Sequence, residues 1–150
     1  MTERFLEDYA VGQTFGSGRI RVTEERIKAF AAEFDPQPFH VDATRASQGF
    51  FGGLAASGWH TAAMTMRLLV DGDLKPKNGI IGTGFDEFRW LRPVRPGDEL
   101  YIESEILEVR PSKSRLDQGL IKVRTTTFNQ NAEPVQILVG NLLVPRKQQP

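Results

Sequence analysis

The sequence predicts one α+β domain, residues 1–150, in which a helix lies across a mostly antiparallel sheet. Helical periodicity is confined to the first half of the chain. From residue 80 onward, four segments rich in β-branched and aromatic residues follow one another and indicate strands. Helices and strands that are segregated in this way are typical of α+β domains. A chain of 150 residues can bury a core of its own without disulfides or zinc.

The first predicted elements are a strand and an amphipathic helix. Residues 11–22 place three glycines between apolar residues, which is typical of a twisted or bulged strand. Thr23 can cap the helix that follows. The apolar face of this helix consists of Ile27, Phe30, Ala31 and Phe34. Pro36 ends the helix, because proline lacks an N–H and disfavours helical backbone in the preceding residue. Pro38 acts similarly, so residues 35–42 are predicted to form a stiff, extended loop.

A second helix is predicted from Gly58 to Val70. Its wide apolar face consists of Trp59, Ala62, Ala63, Met66, Leu69 and Val70, and Met64 and Leu68 widen it further. Because it is apolar most of the way round, we expect it to be the central, buried helix. The four strands that complete the domain are Ile80–Leu91, Leu100–Val109, Leu120–Phe128 and Val135–Val144. Segments that contain Pro, Gly, Asn and Asp separate these strands and predict turns.

Composition excludes several classes of function. The 19 Lys and Arg residues balance 19 Asp and Glu residues, so no overall field attracts nucleic acid or an anionic membrane surface. Cysteine is absent, which excludes thiol nucleophiles and disulfides. The N-terminal residues are not typical of a signal peptide, and the apolar stretch at 54–70 contains too many polar residues for a membrane span. We therefore expect a cytoplasmic protein.

Asp35 and His40 are the candidate acid–base residues. A carboxylate and an imidazole on one stiff loop can share a bound water and move its protons, although this spacing alone more often marks a helix cap and a surface histidine. The other histidine of the chain is His60, interpreted as a helix residue whose ring bonds locally or contacts solvent. Neither histidine has the spacing of a metal ligand set, so no metal site is expected.

Ser57 and Gly58 open the second helix, where backbone N–H groups lie unpaired at the positive end of the helix dipole. A carbonyl oxygen placed at the Gly58 N–H would be polarised. Alternatively, Ser57 simply caps the helix and Gly58 allows tight packing. The residues alone leave both interpretations open.

Three segments of the chain resemble the MaoC-like hydratases and dehydratases, relatives of the (R)-specific enoyl-CoA hydratases. The segments are FDPQPFHVD (34–42), FFGGLAASGWHTAAM (50–64) and FRWLRPVRPGDEL (88–100). The family motif is Asp, any residue, Asn, Pro, an apolar residue, His, any residue and an acid. The matching positions are Asp35, Pro38, Phe39, His40 and Asp42. Gln37 stands where the family has Asn.

The resemblance implies a hot-dog fold, in which an antiparallel sheet wraps a central helix and two such units pair as a homodimer or a dimer of dimers. It implies that Asp35 and His40 hold the water that adds reversibly across the double bond of a trans-2-enoyl thioester in fatty acid metabolism. The Gly58 N–H would bind the thioester carbonyl, and Gln37 and Ser57 are candidate substrate-binding residues. Coenzyme A would enter only as part of an acyl-CoA substrate, with no cofactor or metal.

Two other functions stay open. An acyl-CoA thioesterase would direct the water at the carbonyl carbon, and a non-catalytic protein would bind the acyl thioester without chemistry. Lys113 and Arg115, in the loop RPSKSR between two strands, are candidates for binding the phosphates of the carrier, since paired basic side chains can contact a pyrophosphate. A solvated turn is the alternative interpretation of that loop.

Overall fold

A computed structural model of the chain describes residues 2–148. Its helices are a 3₁₀ turn at Leu6–Asp8, α1 (Glu24–Phe34), α2 (Pro38–Val41), α3 (Ala43–Ser47) and α4 (Gly58–Asp71). Its strands are β1 (Thr14–Phe15), β2 (Ile20–Arg21), β3 (Gly82–Trp90), β4 (Glu99–Pro111), β5 (Gln118–Phe128) and β6 (Pro134–Pro145). The two long helices and four long strands lie where the sequence predicts them.

The strands form one sheet in the order β1-β4-β5-β6-β3, and β2 also pairs with β4. Every pairing between these strands is antiparallel. The predicted α+β class is therefore confirmed. Because β3 pairs only with β6 within the described chain, its other side is a free sheet edge.

The predicted strand at 11–22 is present only as the two short strands β1 and β2. Thr14 pairs with Glu105, and Ile20 pairs with Leu100. Between them, the Ile102 N–H of β4 donates to the side chain of Ser17 at 3.0 Å. A side-chain acceptor thus replaces the backbone partner that a continuous strand would have supplied.

The prediction of an extended loop at 35–42 is wrong in its second half. Gln37 is extended, but Pro38 opens the one-turn helix α2. Proline is unfavourable inside a helix and favourable at its first position, where its missing N–H needs no partner. The Asp42 carboxylate then accepts from the Arg45 N–H at 3.1 Å and caps α3.

Helix α4 packs against the sheet, as predicted, but only part of its predicted apolar face is buried: Met64, Leu68 and Leu69 lie in the core. Trp59, Met66 and Val70 are 60%, 43% and 53% exposed. The buried residues of α4 are His60, Thr61, Met64, Thr65, Leu68 and Leu69. Thr65 is accommodated on this face because the side chains of Thr127 and Gln136 on the sheet hydrogen-bond to it. Within residues 2–148, no helix combines the length and the apolar character that crossing a bilayer requires.

Candidate active site

Asp35 and His40 meet at the junction of α1 and α2. Asp35 is the C-terminal cap of α1, and His40 lies in the single turn of α2. The Asp35 Oδ2 and His40 Nε2 atoms are 3.4 Å apart. The imidazole is buried and the carboxylate is half-buried. The predicted pairing of these two side chains is therefore present in the structure.

A hydrogen bond to the backbone decides which ring nitrogen of His40 carries the proton. The Nδ1 atom lies 2.6 Å from the carbonyl oxygen of Ala55. A carbonyl oxygen can only accept, so Nδ1 donates and the Nε2 of the neutral ring presents its lone pair to Asp35. Two acceptors, the carboxylate and Nε2, thus face the same space. A water molecule, which has two hydrogens to donate, matches this arrangement.

Two further side chains hold the Asp35 carboxylate. The amide of Gln37 donates to Oδ1 at 2.5 Å, and the hydroxyl of Ser57 donates to Oδ2 at 2.7 Å. Burial alone would raise the pKa of Asp35, but these two hydrogen bonds and the nearby His40 ring outweigh it and lower the pKa below the ordinary value of 3.8. Asp35 is therefore ionised at neutral pH.

Sequence reasoning missed this bond from Ser57 to Asp35. It identified Ser57 as a helix cap or substrate-binding residue, and the hydroxyl does cap α4 by accepting from the Trp59 N–H at 3.2 Å. The same hydroxyl reaches Asp35, 22 positions earlier in the chain. No local pattern indicates such a contact, which depends on how α1 packs against the start of α4.

Gly58 begins α4, so its N–H lies outside the helical hydrogen-bond ladder. The structure also shows a packing reason for glycine here. A Cβ at this position would lie 2.5 to 2.8 Å from three indole carbons of Trp90. Tight packing, one of the two interpretations of Gly58, is thus present. It does not occupy the Gly58 N–H, so that group is still available to bind a carbonyl oxygen, which is the other interpretation.

These groups line one pocket of about 650 Å³. Asp35, Gln37, His40 and Gly58 are among its polar lining residues, together with Thr61, Arg92 and Arg95, and the aromatic and aliphatic walls include Phe50, Phe51, Trp59, Trp90 and Val94. The lining is mostly apolar with a few convergent polar groups, which is typical of small-molecule sites.

Arg95 is a supporting residue that the sequence analysis did not single out. Its guanidinium donates to the backbone carbonyls of Gly53 at 3.0 Å and Leu54 at 3.3 Å, and it also contacts the carbonyl of Phe51. Asp98 in turn accepts from the Arg95 N–H at 2.8 Å. Arg95 therefore shapes the loop that carries the Phe51 wall. The sequence signal that could have indicated Arg95 is its position in the segment 88–100, the third of the segments that resemble the family.

Lys113 and Arg115 lie apart from this pocket in a single chain. Lys113 lines a separate groove with Thr83 and Arg110, and the exposed Arg115 pairs with Asp117 at 3.6 Å. Their predicted contact with carrier phosphates therefore stays a prediction. In residues 2–148, no group of three or more His, Cys, Asp or Glu side chains is placed to hold a metal ion.

The interpretation of His60 as a locally bonded or solvent-facing residue is wrong. The side chain is buried, and its ring stacks on Phe30 with centroids 4.8 Å apart and planes 9° from parallel. Its Nδ1 atom has no hydrogen-bond partner within residues 2–148. The physical reason is tertiary, because α1 covers the first turn of α4.

The fold and the pocket define a class of protein: an antiparallel sheet against a central helix, with a carboxylate–imidazole pair beside the start of that helix. The chain belongs to the MaoC-like domain family, whose model matches residues 8–128. A solved MaoC-like dehydratase from Rhodospirillum rubrum has a TM-score of 0.94 and 53% sequence identity, covering 97% of this chain and 99% of that one. The resemblance seen in the sequence and the hot-dog fold are thus confirmed.

Two other relatives extend the comparison. Uncharacterized protein YdeM of Bacillus subtilis is 35% identical over 139 residues, which are 93% of this chain and 96% of that protein. The R-hydratase PhaJ1 of Pseudomonas aeruginosa, solved without ligand, has a TM-score of 0.73 and 27% identity, covering 95% of this chain and 86% of that one. Hydratases and dehydratases are therefore among the proteins that this chain resembles.

Proposed function

We propose that the protein catalyses the reversible hydration of a trans-2-enoyl thioester, with coenzyme A as the carrier. The observation that carries this proposal is the 3.4 Å approach of Asp35 Oδ2 and His40 Nε2, with Nδ1 of His40 engaged by a backbone carbonyl. The pair can accept both hydrogens of one water and leave its oxygen lone pairs directed at the substrate. The R-hydratase relative supports the same reaction class.

The reaction divides between the two side chains. As the water oxygen bonds to the β-carbon, His40 Nε2 takes one proton from the water, and the electrons of the double bond move towards the thioester oxygen. The imidazolium then delivers that proton to the α-carbon on the same face, so that hydrogen and hydroxyl are added overall. Ionised Asp35 orients the water and stabilises the transient imidazolium.

The negative charge that develops on the thioester oxygen must be stabilised by a hydrogen-bond donor. The N–H of Gly58, at the positive end of α4, supplies one without rearrangement of the protein. Acid–base chemistry of this kind requires no redox cofactor or metal, so coenzyme A participates only as part of the substrate. Lys113 and Arg115 stay candidates for its phosphates.

The exposed apolar surface supports a homodimer as the working form. Trp59 and Met66 of α4 and Phe85 and Trp90 of β3 are exposed in the single chain. This surface adjoins the free edge of β3, which a second copy can cover by strand pairing. The cytoplasmic location inferred from the sequence stays a prediction.

A panel of enoyl-CoA esters tests the proposal. The purified protein is incubated with each ester while loss of the conjugated enoyl absorbance and release of free thiol are followed together. We expect the absorbance to fall with no thiol release, and His40→Ala to abolish the change. Thiol release would identify a thioesterase instead, and binding without either signal would identify a non-catalytic acyl-thioester protein.

A further inference from the structure

The Trp90 indole is the wall of the pocket that lies closest to the proposed oxyanion donor. It lies over the Cα of Gly58, in space that any larger residue at that position would need. A second aromatic ring, Trp59, packs edge-on against it with centroids 5.3 Å apart and planes at 83°. The indole therefore adjoins the position that the substrate carbonyl would occupy.

A chain of hydrogen bonds that begins at the half-exposed indole, 45% exposed, and leads into the core holds Trp90 in place. Trp90 Nε1 donates to Gln136 Oε1 at 2.9 Å, and Gln136 Nε2 donates to the hydroxyl of Thr65 at 3.0 Å. The Thr65 and Thr127 hydroxyls share a further bond of 2.7 Å. Gln136, Thr65 and Thr127 are all 0% exposed. Displacing the indole would leave a buried amide oxygen without a donor, which is unfavourable.

The same chain of bonds ends the pocket. Thr61, only 2% exposed, lines the pocket one helical turn after Gly58. Thr65, the next residue along that face of α4, is outside the lining and bonded to Gln136. Along α4, the lining of the pocket therefore runs from Gly58 to Thr61, a rise of about 4.5 Å for three helical residues.

The orientation of the substrate follows from the size of its carrier. A carrier as large as coenzyme A must extend out of the pocket through its open rim, where Phe50 is 95% exposed. The thioester carbonyl at Gly58 and the β-carbon at His40 then direct the rest of the acyl group inward, towards Thr61. A long alkyl tail would meet the indole of Trp90 and the polar side chains behind it.

We propose that the pocket selects short acyl chains and that Trp90 is the residue that sets this limit. The proposal rests on the proposed hydratase function. Selection arises because longer tails can be accommodated only by moving the indole and breaking its bond to Gln136. Methylene groups in an apolar pocket are discriminated by steric limits of this kind.

The unmodified protein provides the first test. We expect kcat/KM for hydration to fall at least tenfold from crotonyl-CoA to octenoyl-CoA, and further for dodecenoyl-CoA. Equal or higher values for the longer esters would overturn the inference. If no ester is hydrated, the proposed function fails, and calorimetric binding of butyryl-CoA against octanoyl-CoA decides the inference separately, with weaker octanoyl binding supporting it and equal binding overturning it.

The second test uses Trp90→Ala. We expect the ratio of kcat/KM for octenoyl-CoA to that for crotonyl-CoA to rise about tenfold or more, mainly through a lower KM for the longer ester. Phe88→Ala is the matched control, because the Phe88 ring contacts Trp90 at 5.0 Å between centroids but lies outside the pocket lining. Its ratio should stay within twofold of the unmodified value.

Trp90→Leu replaces the alanine variant if the latter does not fold, as judged by circular dichroism and thermal unfolding. An unchanged ratio in a folded Trp90 variant would overturn the inference. An equal rise in Phe88→Ala would do the same, because it would show that loosening β3, rather than removing the indole from the pocket, admits the longer chain.

Discussion

At the active pair, the two ring nitrogens of His40 have separate tasks. Nδ1 is hydrogen-bonded to the Ala55 carbonyl, which fixes the orientation of the ring and leaves Nε2 facing Asp35. Asp35, held by Gln37 and Ser57, stays anionic beside it. The division of roles therefore comes from the hydrogen-bond partners of each side chain, in addition to its chemical type.

Removing either member should disable the pair. We expect His40→Ala and Asp35→Asn each to lower kcat about a hundredfold or more, and the double variant to lose little beyond the worse single one, because both act on the same water. Turnover of crotonyl-CoA measures this. Asp42→Asn is the control, since asparagine can still cap α3 and Asp42 lies outside the pocket. Multiplicative losses in the double variant would show that the two residues act independently.

The hydrogen bond from Gln37 should be visible in the titration of the Asp35 carboxyl group. Gln37→Leu removes one of the two side-chain donors that lower the pKa of Asp35, so burial weighs more and that pKa rises. We expect the midpoint of the Asp35 titration, followed by the NMR shift of its carboxyl carbon, to move to higher pH. Gln48→Leu, at an exposed glutamine at the end of α3, is the control. An Asp35 midpoint that does not move would contradict this account of Gln37.

At the scale of elements, α1 and α4 are joined by the stacked rings of Phe30 and His60. This contact lies close to both halves of the site, since α1 ends at Asp35 and α4 begins at Gly58. Burial, together with the positive charge of Arg26, lowers the pKa of His60 below the ordinary value of 6.5. The packing of the two helices is therefore sensitive to acid.

The lowered pKa of His60 should make the stability of the folded protein depend on pH. The unfolded chain protonates His60 near pH 6.5, whereas the folded chain resists protonation until a lower pH. The contribution of His60 to stability is thus complete above that value and is lost as the pH falls towards the folded pKa. We expect His60→Phe, whose ring can still stack on Phe30, to lose less in Tm than the unmodified protein between neutral and mildly acidic pH. Parallel declines in thermal unfolding curves would contradict this.

At the scale of the whole molecule, the exposed apolar residues of α4 and β3 form one surface. Aromatic contacts connect it, with Phe85 and Phe88 5.4 Å apart and Phe88 and Trp59 5.8 Å apart between centroids. A continuous apolar patch next to an unpaired strand edge is typical of a surface that another chain covers. Trp90, which lines the pocket, belongs to the same surface. The proposed dimer interface would therefore adjoin the candidate site.

Light scattering tests this arrangement. We expect the mass of a dimer for the unmodified protein at micromolar concentration and of a monomer for Phe85→Glu, because a carboxylate would be desolvated in the interface without a partner. Leu116→Glu, which changes an apolar residue that is 78% exposed in the loop between β4 and β5, should remain dimeric. A monomeric unmodified protein, or an unaffected Phe85→Glu variant, would place the interface elsewhere or remove it.

Local signals in the sequence determined the long elements and the central pair of the site. The Thr23 cap and Pro36 bound α1, and segments rich in β-branched and aromatic residues between turns mark the long strands, because caps, prolines and strand propensity act over a few neighbouring residues. The spacing of Asp35 and His40 made them candidates, and the resemblance of residues 34–42 to the family motif selected them as a pair.

Tertiary structure decided what surrounds that pair. The bond from Ser57 to Asp35, the stacking of His60 on Phe30 and the link from Trp90 to Gln136 join residues 22, 30 and 46 positions apart. Apolar periodicity could not show that α4 turns Thr65 towards the sheet and Thr61 towards the pocket. The buried face of a helix depends on the partners that other elements offer, and here the hydrogen bonds of Gln136 and Thr127 made Thr65 suitable for burial.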